Sequence, residues 1–159
     1  MAKFKSLASR RIITVAVRLI LLALLLTIMD AYTAQFASLK TSKVNLRVGP
    51  GKEYPICWVI GWPNVPIALS AEFKLWRKVK LHDGTEGWVH QNIISNRNTV
   101  IVISDYAILY RFSSKTHPIY KVEKNVIARV LKKEEKWIKV EINGIKGWLE
   151  HQCVWGIDD

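Results

Sequence analysis

From residue 43 onward, apolar and polar residues alternate in short runs that are typical of β-strands. Residues 76–81 alternate apolar and basic side chains, and a turn at Asp83-Gly84 follows. Residues 137–142 repeat this alternation and lead into Asn143-Gly144, a pair that supplies the positive φ angles of a tight type I′ turn. The pattern therefore predicts two β-hairpins.

The two hairpins belong to an internal repeat, because residues 43–95 and 106–155 carry the same pattern twice. Each copy has a further predicted strand upstream, at residues 65–69 and 126–130, and the first copy has a loop rich in Gly and Pro at residues 47–55. We expect an all-β chain in which each copy forms a small closed barrel of about five short strands. The expected domains are residues 40–97 and 98–159.

The chain begins differently, with a basic head followed by an apolar stretch at residues 12–29. Arg18 interrupts this stretch, which leaves an uninterrupted apolar core at residues 19–29, shorter than the ~20 residues that span a bilayer comfortably. Residues 1–37 are therefore expected to be a signal peptide or an uncleaved anchor in the inner membrane. Both alternatives place Ser38 and the rest of the chain outside the cytoplasm, in the periplasm or on the periplasmic face of the inner membrane.

The charge of the exported part favours anionic partners. The chain has 24 Lys and Arg against 13 Asp and Glu; residues 1–37 contain five of the basic and one of the acidic residues, so the remainder keeps a net charge of +7. A surface of this sign suits cell-wall polymers, lipid headgroups or acidic proteins. Nucleic acid is not expected as a partner of an exported chain.

Three separated blocks of the first copy resemble the bacterial SH3-like (SH3b) domain. They are residues 44–51 (VNLRVGPG) with Tyr54-Pro55, residues 76–79 (WRKV), and residues 84–89 (GTEGWV). An export segment followed by two such copies is similar to small exported tandem-repeat SH3-like proteins of Gram-negative bacteria. The resemblance implies a non-catalytic binding module for a cell-envelope ligand, namely peptidoglycan or a wall peptide. The alternative is a membrane-held adaptor for protein–protein interaction in the periplasm.

A ligand is expected on a surface groove, because side chains fill the interior of so small a barrel. The candidate ligand-binding residues are Asn45, Arg47, Tyr54, Trp58, Trp62 and Trp76. Aromatic faces suit sugar rings or peptides, and an arginine can bind a carboxylate in bidentate fashion. Alternatively, Asn45 and Arg47 fix the loop by hydrogen bonds. The second copy has Phe112-Ser113-Ser114 in place of the Gly-Pro-Gly sequence, so its groove is expected to be reshaped or lost.

The remaining tryptophans and the cysteines have structural interpretations. Trp88, Trp137 and Trp148 are expected in the core. Cys57 and Cys153 either form a disulfide in an oxidising compartment or are small buried apolar side chains. Both occupy ordinary repeat positions, so neither is favoured as a catalytic nucleophile, and their separation excludes a local metal motif. We expect no catalytic site, no cofactor and no metal.

Overall fold

The computed structural model describes residues 35–158, which form two β-sheets joined by short loops. The strands of the first sheet are β1 (Gln35–Leu39), β2 (Val44–Arg47), β3 (Ile56–Ile60), β4 (Pro66–Phe73), β5 (Trp76–Lys80), β6 (Glu86–His90) and β7 (Ile94–Ser95). The strands of the second sheet are β8 (Thr99–Val102), β9 (Tyr106–Tyr110), β10 (Pro118–Glu123), β11 (Ile127–Lys133), β12 (Trp137–Ile142), β13 (Ile145–Glu150) and β14 (Val154–Trp155). Single 3₁₀ turns, Gln91–Ile93 and His151–Cys153, precede β7 and β14.

The two sheets have the same topology. The strand order is β3-β2-β6-β5-β4-β1-β7 in the first and β10-β9-β13-β12-β11-β8-β14 in the second, and every pair is antiparallel. We call these sheets, with their loops, the first and second lobes. The repeat and the all-β class predicted from the sequence are confirmed. Within residues 35–158 the end strands are β3 and β7 in the first sheet and β10 and β14 in the second, and the two end strands of a sheet are not paired with each other. Strand pairing therefore does not close either sheet into the barrel that we expected.

The first lobe begins earlier than the sequence suggested. β1 pairs with β4, where Ala37 lies opposite Ile67, and with β7, where Leu39 lies opposite Ile94. Ala37 and Leu39 are buried. Residues 35–37, which we assigned to the export segment, are therefore part of the first sheet. The pattern missed β1 because it is short and follows directly on a long apolar stretch.

The predicted export segment, including residues 12–29, lies outside the described residues. Within residues 35–158, no helix has the length and apolar character needed to span a membrane.

The β12–β13 hairpin has the predicted turn. Asn143 and Gly144 both have positive φ, 49° and 84°, and the strands pair up to Ile142 opposite Ile145. The β5–β6 turn is longer: Gly84 has φ 87°, and Asp83 Oδ1 accepts a hydrogen bond from the Thr85 backbone N–H at 2.9 Å. That bond holds the pKa of Asp83 below its ordinary value. Local turn chemistry thus sets both hairpins.

Each lobe has its own apolar core. Leu39, Leu46, Ile67, Val79 and Val89 are fully buried in the first lobe. Their counterparts in the second lobe include Val100, Leu109, Ile138, Val140 and Leu149. The chain therefore builds the same core twice.

The tryptophans of the hairpins are not in these cores. Side chains alternate along β6, so the burial of Gly87 and Val89 directs Trp88 to the opposite face, where it is half-buried. Trp148 on β13 and Trp137 on β12 alternate with buried residues in the same way. The prediction that Trp88, Trp137 and Trp148 pack in the core is corrected. A Cβ on Gly87 would lie 2.8 Å from the Cβ of Leu46, so the glycine rather than the tryptophan faces the core.

The lobes contact each other at two places. Thr99 Oγ1 donates a hydrogen bond to the Asn64 carbonyl at 2.8 Å, and the Arg97 guanidinium donates to Asn64 Oδ1 at 3.1 Å. The rings of Phe36 and Trp155 meet edge to face. These contacts join the two repeats within one unit of the chain.

Candidate functional site

A surface groove of about 440 Å³ lies in the first lobe, between the loop that follows β2 and the β4–β5 hairpin. It is lined by Pro50, Gly51, Lys52, Glu53, Phe73, Lys74, Leu75, Trp76 and His90. Segments distant in the sequence therefore meet at one place. The groove is the candidate binding site.

Close packing within the loop requires Gly49, because a Cβ there would overlap the ring of Tyr54. A Cβ on Gly51 would meet only the carboxylate end of the flexible Glu53 side chain. The Gly51 backbone N–H donates to the Gly49 carbonyl at 3.0 Å. The loop thus folds back tightly on itself and presents residues 50–53 to the groove.

Arg47 holds this loop in place. Its guanidinium donates hydrogen bonds to the carbonyl oxygens of Lys52 at 3.0 Å and Tyr54 at 2.6 Å. Of the two roles that the sequence allowed, the geometry supports fixing of the loop. Asn45, by contrast, is exposed on β2 and does not line the groove.

Trp76 and His90 form one wall of the groove. Their rings meet edge to face, with centroids 5.5 Å apart. His90 Nδ1 accepts a hydrogen bond from the Asn92 backbone N–H at 3.3 Å, so the neutral imidazole carries its proton on Nε2. The Nε2–H of His90 is therefore a candidate hydrogen-bond donor on this side of the groove.

Two exposed apolar side chains stand at the opening of the groove. Phe73, the last residue of β4, is 50% exposed, and Leu75, in the turn between β4 and β5, is 53% exposed. Sequence reasoning did not name these two residues or His90 as candidates. The sequence did contain a signal at residues 73–76 (Phe-Lys-Leu-Trp). Three of these four residues are apolar, which is more than is usual for an exposed turn and the residues beside it.

The groove carries charges of both signs. Lys52 and Lys74 line it together with Glu53, and the Lys74 ammonium group lies 5.4 Å from the Phe73 ring centroid. An apolar wall flanked by both kinds of charge suits a ligand with carboxylates and an amine. It is less suited to a simple anion.

The candidate residues predicted from the sequence do not all come together. Trp76 lines the groove, while Arg47 and Tyr54 shape its loop. Trp58 lies on the edge strand β3 and Trp62 follows that strand; they are 59% and 72% exposed and do not line the groove.

The corresponding place in the second lobe is built differently. Lys115 and Glu150, which replace Lys52 and His90, form an ion pair with an N···O distance of 2.8 Å. The carboxylate raises the pKa of Lys115 above its ordinary value. This ion pair joins the loop to the end of β13, at the point where the first lobe has an open groove. The sequence predicted a reshaped groove here, and the ion pair shows how the two lobes differ.

Cys57 and Cys153 are both free thiols. Cys57 is exposed on β3, whereas Cys153 packs against the core of the second lobe. The structure therefore does not contain the disulfide that the sequence allowed. Within residues 35–158, no group of three or more His, Cys, Asp or Glu residues is placed to hold a metal ion.

Two copies of one seven-stranded antiparallel sheet, one of them with a groove beside a Gly-Pro-Gly loop, define a tandem module of the small all-β type. The family model of the bacterial SH3 domain matches residues 40–96 and 104–156. The chain therefore belongs to the bacterial SH3 domain family, with two copies of the domain. The resemblance noted in the sequence is confirmed.

Among solved structures, the chain is similar to NlpC2 from Trichomonas vaginalis, with 12% identity and a TM-score of 0.35 over 79% of this chain and 49% of the other. It is also similar to an NlpC/P60 family protein from Bacillus cereus, with 16% identity and a TM-score of 0.37 over 76% of this chain and 56% of the other. The chain thus spans about half the length of these proteins. No curated protein sequence matches it significantly.

Proposed function

We propose that this protein is an exported, non-catalytic binding protein whose first lobe holds a peptide of the cell wall in the groove beside the Gly-Pro-Gly loop. The observation that carries the proposal is the meeting of residues 50–53, 73–76 and His90 around one opening. Membership in the bacterial SH3 domain family supports a binding role.

The chemistry of the lining supports a wall peptide as ligand. Such peptides carry free carboxylates and an amine on short aliphatic side chains. Lys52 and Lys74 are available to the carboxylates, and Glu53 to the amine. Phe73 and Leu75 offer exposed apolar surface to the aliphatic parts, and His90 offers an N–H donor.

A binding role without catalysis is consistent with the positions of the two cysteines. Nucleophilic catalysis by cysteine needs the thiol within hydrogen-bond reach of a base. His90 lines the groove, but Cys57 lies on β3 and Cys153 packs in the other lobe. The basic head and apolar stretch of residues 1–29 support export to the periplasm.

Pulldown with purified peptidoglycan sacculi tests the proposal. The variant F73S/L75S removes apolar surface from the groove at two exposed positions, so it should fold normally and lose most of its retention. Trp62→Ser is the matched control, because Trp62 is more exposed than either residue and lies outside the groove. Equal retention of wild type and F73S/L75S, with Tm unchanged, would exclude the groove as the binding site.

A membrane-held adaptor is the second candidate, and the edge strand β3 is the observation that favours it. Ile56, Trp58 and Val59 are exposed on this strand, which ends the first sheet without a further partner among residues 35–158. Uncovered apolar edge strands pair readily with strands of other chains. Crosslinking in native envelopes tests this second function. If the V59K variant forms no protein adducts but is fully retained on sacculi, β3 binds a protein and the groove binds the wall, and the two functions are separate. Mass spectrometry of the mature N-terminus would show whether residues 12–29 are retained.

A further inference from the structure

The outer face of the second sheet has a tryptophan beneath two lysines. Trp148 on β13 lies opposite Lys139 on β12, and Lys139 lies opposite Lys132 on β11. The two ammonium groups are 5.7 Å (Lys139) and 6.0 Å (Lys132) from the centroid of the Trp148 ring. These three side chains form a basic-aromatic patch, which we call the Trp148 patch.

The patch brings like charges together. Cross-strand neighbours of the same charge destabilise a sheet, because their Cβ atoms are only about 5 Å apart. Lys132 is paired with Glu134 at 2.8 Å, but among residues 35–158 Lys139 takes part in no ion pair. The carboxylate of Glu141, two positions along the same strand, is bound by Arg129 instead. One positive charge of the patch is therefore left without an anion.

The first lobe lacks this arrangement at the equivalent place. Trp88 lies opposite Lys78, as Trp148 lies opposite Lys139, but the next strand offers Ala71 in place of a second lysine. Lys78 is also neutralised by Glu86 at 2.7 Å, which keeps the pKa of that carboxyl low. Of these two equivalent lysines, Lys139 of the second lobe is the one whose charge is unpaired. The second lobe is also the one in which Lys115 and Glu150 join the loop to β13.

We propose that the Trp148 patch binds an acidic, carboxylate-bearing polysaccharide. A carboxylate at the patch would neutralise the unpaired charge of Lys139 and form a charge-assisted hydrogen bond with it, and Lys132, although paired with Glu134, lies beside it as a second donor. A polymer fits better than a bilayer surface, because Trp148 is half-buried under the lysines and does not project as an interfacial anchor does. The proposal does not depend on the groove of the first lobe, since it concerns other residues.

Binding of the full-length chain to immobilised polygalacturonate tests this proposal, with fully methyl-esterified polygalacturonate as the uncharged match. The variant K132Q/K139Q should bind the acidic polymer about tenfold more weakly, as expected for the loss of one to two charge-assisted contacts. K43Q/K124Q removes the same charge from two exposed turns and should change the affinity by less than about twofold. K132R/K139R should restore binding, and salt should weaken it.

The thermal unfolding of K132Q/K139Q provides a second readout: a Tm close to that of the wild type shows that weaker binding is not caused by loss of the fold. Equal weakening in K43Q/K124Q would mean that net charge alone binds the polymer, and it would overturn the proposal. Equal binding of the esterified polymer would do so as well. Vesicles of phosphatidylglycerol are the other arm: if only vesicle binding responds to K132Q/K139Q, the patch serves a lipid surface and the polysaccharide assignment is wrong.

Discussion

Phe36 and Trp155 meet edge to face, with ring centroids 5.1 Å apart and an interplanar angle of 90°. The first residue of this pair lies on the first strand of the first lobe, and the second lies on the last strand of the second lobe. The contact therefore brings the two ends of the described chain together and, with the hydrogen bonds from Thr99 and Arg97 to Asn64, joins the two lobes.

This contact predicts a loss of stability in Trp155→Ala. Removal of a half-buried aromatic ring in an edge-to-face pair should lower the free energy of unfolding by about 1–3 kcal/mol. Thermal unfolding followed by circular dichroism measures the change. Trp62→Ala is the control, because its ring is 72% exposed and should cost little. If the two variants had the same Tm, the contact would contribute nothing to stability.

The packing of the Gly-Pro-Gly loop predicts the effect of Gly49→Ala. The new methyl group would lie 2.4 Å from Tyr54 Cδ1, so the ring must move away from the loop. We expect a destabilisation of about 1–3 kcal/mol and weaker retention on sacculi. The double variant G49A/Y54A makes room for the methyl group and should recover part of the lost stability; no recovery would mean that the ring is not the obstacle.

The type I′ turn predicts different outcomes at two glycines that both have open space around them. Gly144 has φ 84°, whereas no positive φ occurs at Gly61, and a Cβ at either position would contact nothing within 4 Å. Gly144→Ala should therefore cost about 1 kcal/mol through backbone strain alone. Gly61→Ala should be neutral or slightly stabilising. Chemical denaturation compares the two, and equal midpoints would contradict the turn assignment.

The Lys115–Glu150 ion pair predicts a pH dependence in the alkaline range. The folded state raises the pKa of Lys115 from its ordinary value of 10.5, so its contribution to stability is complete below that value and is lost as the pH rises through the folded pKa. The Tm difference between wild type and Lys115→Gln should therefore shrink above about pH 10.5. The size of the difference at neutral pH is expected to be small, because the Lys115 side chain is exposed to solvent. A difference that stayed constant with pH would show that the ion pair has no effect.

Sequence by itself determined the repeat, the all-β class and the hairpin turns. These are local properties: the alternation at residues 137–142 fixes which side chains share a face, and Asn143-Gly144 fixes the turn. The Gly-Pro-Gly loop and Trp76 were also predicted from the sequence as candidates, and Pro50, Gly51 and Trp76 line the candidate groove. Arg47 was recognised as a loop residue, but its bonds to two carbonyl oxygens had to be seen in the structure.

Only the tertiary structure decided which face of each strand is buried and which loops meet. The alternation places Trp88 and Val89 on opposite faces of β6, but it does not say which face is buried, because tryptophan fits either face of a sheet. Leu46 lies so close to Gly87 that the face carrying Gly87 and Val89 is the one turned to the core. The groove depends on segments that the chain brings together from distant positions, so the presence there of His90, Phe73 and Leu75 could not be read from any one of them. Contacts between strands remote in sequence are set by the register of the whole sheet, and a local pattern does not contain that register.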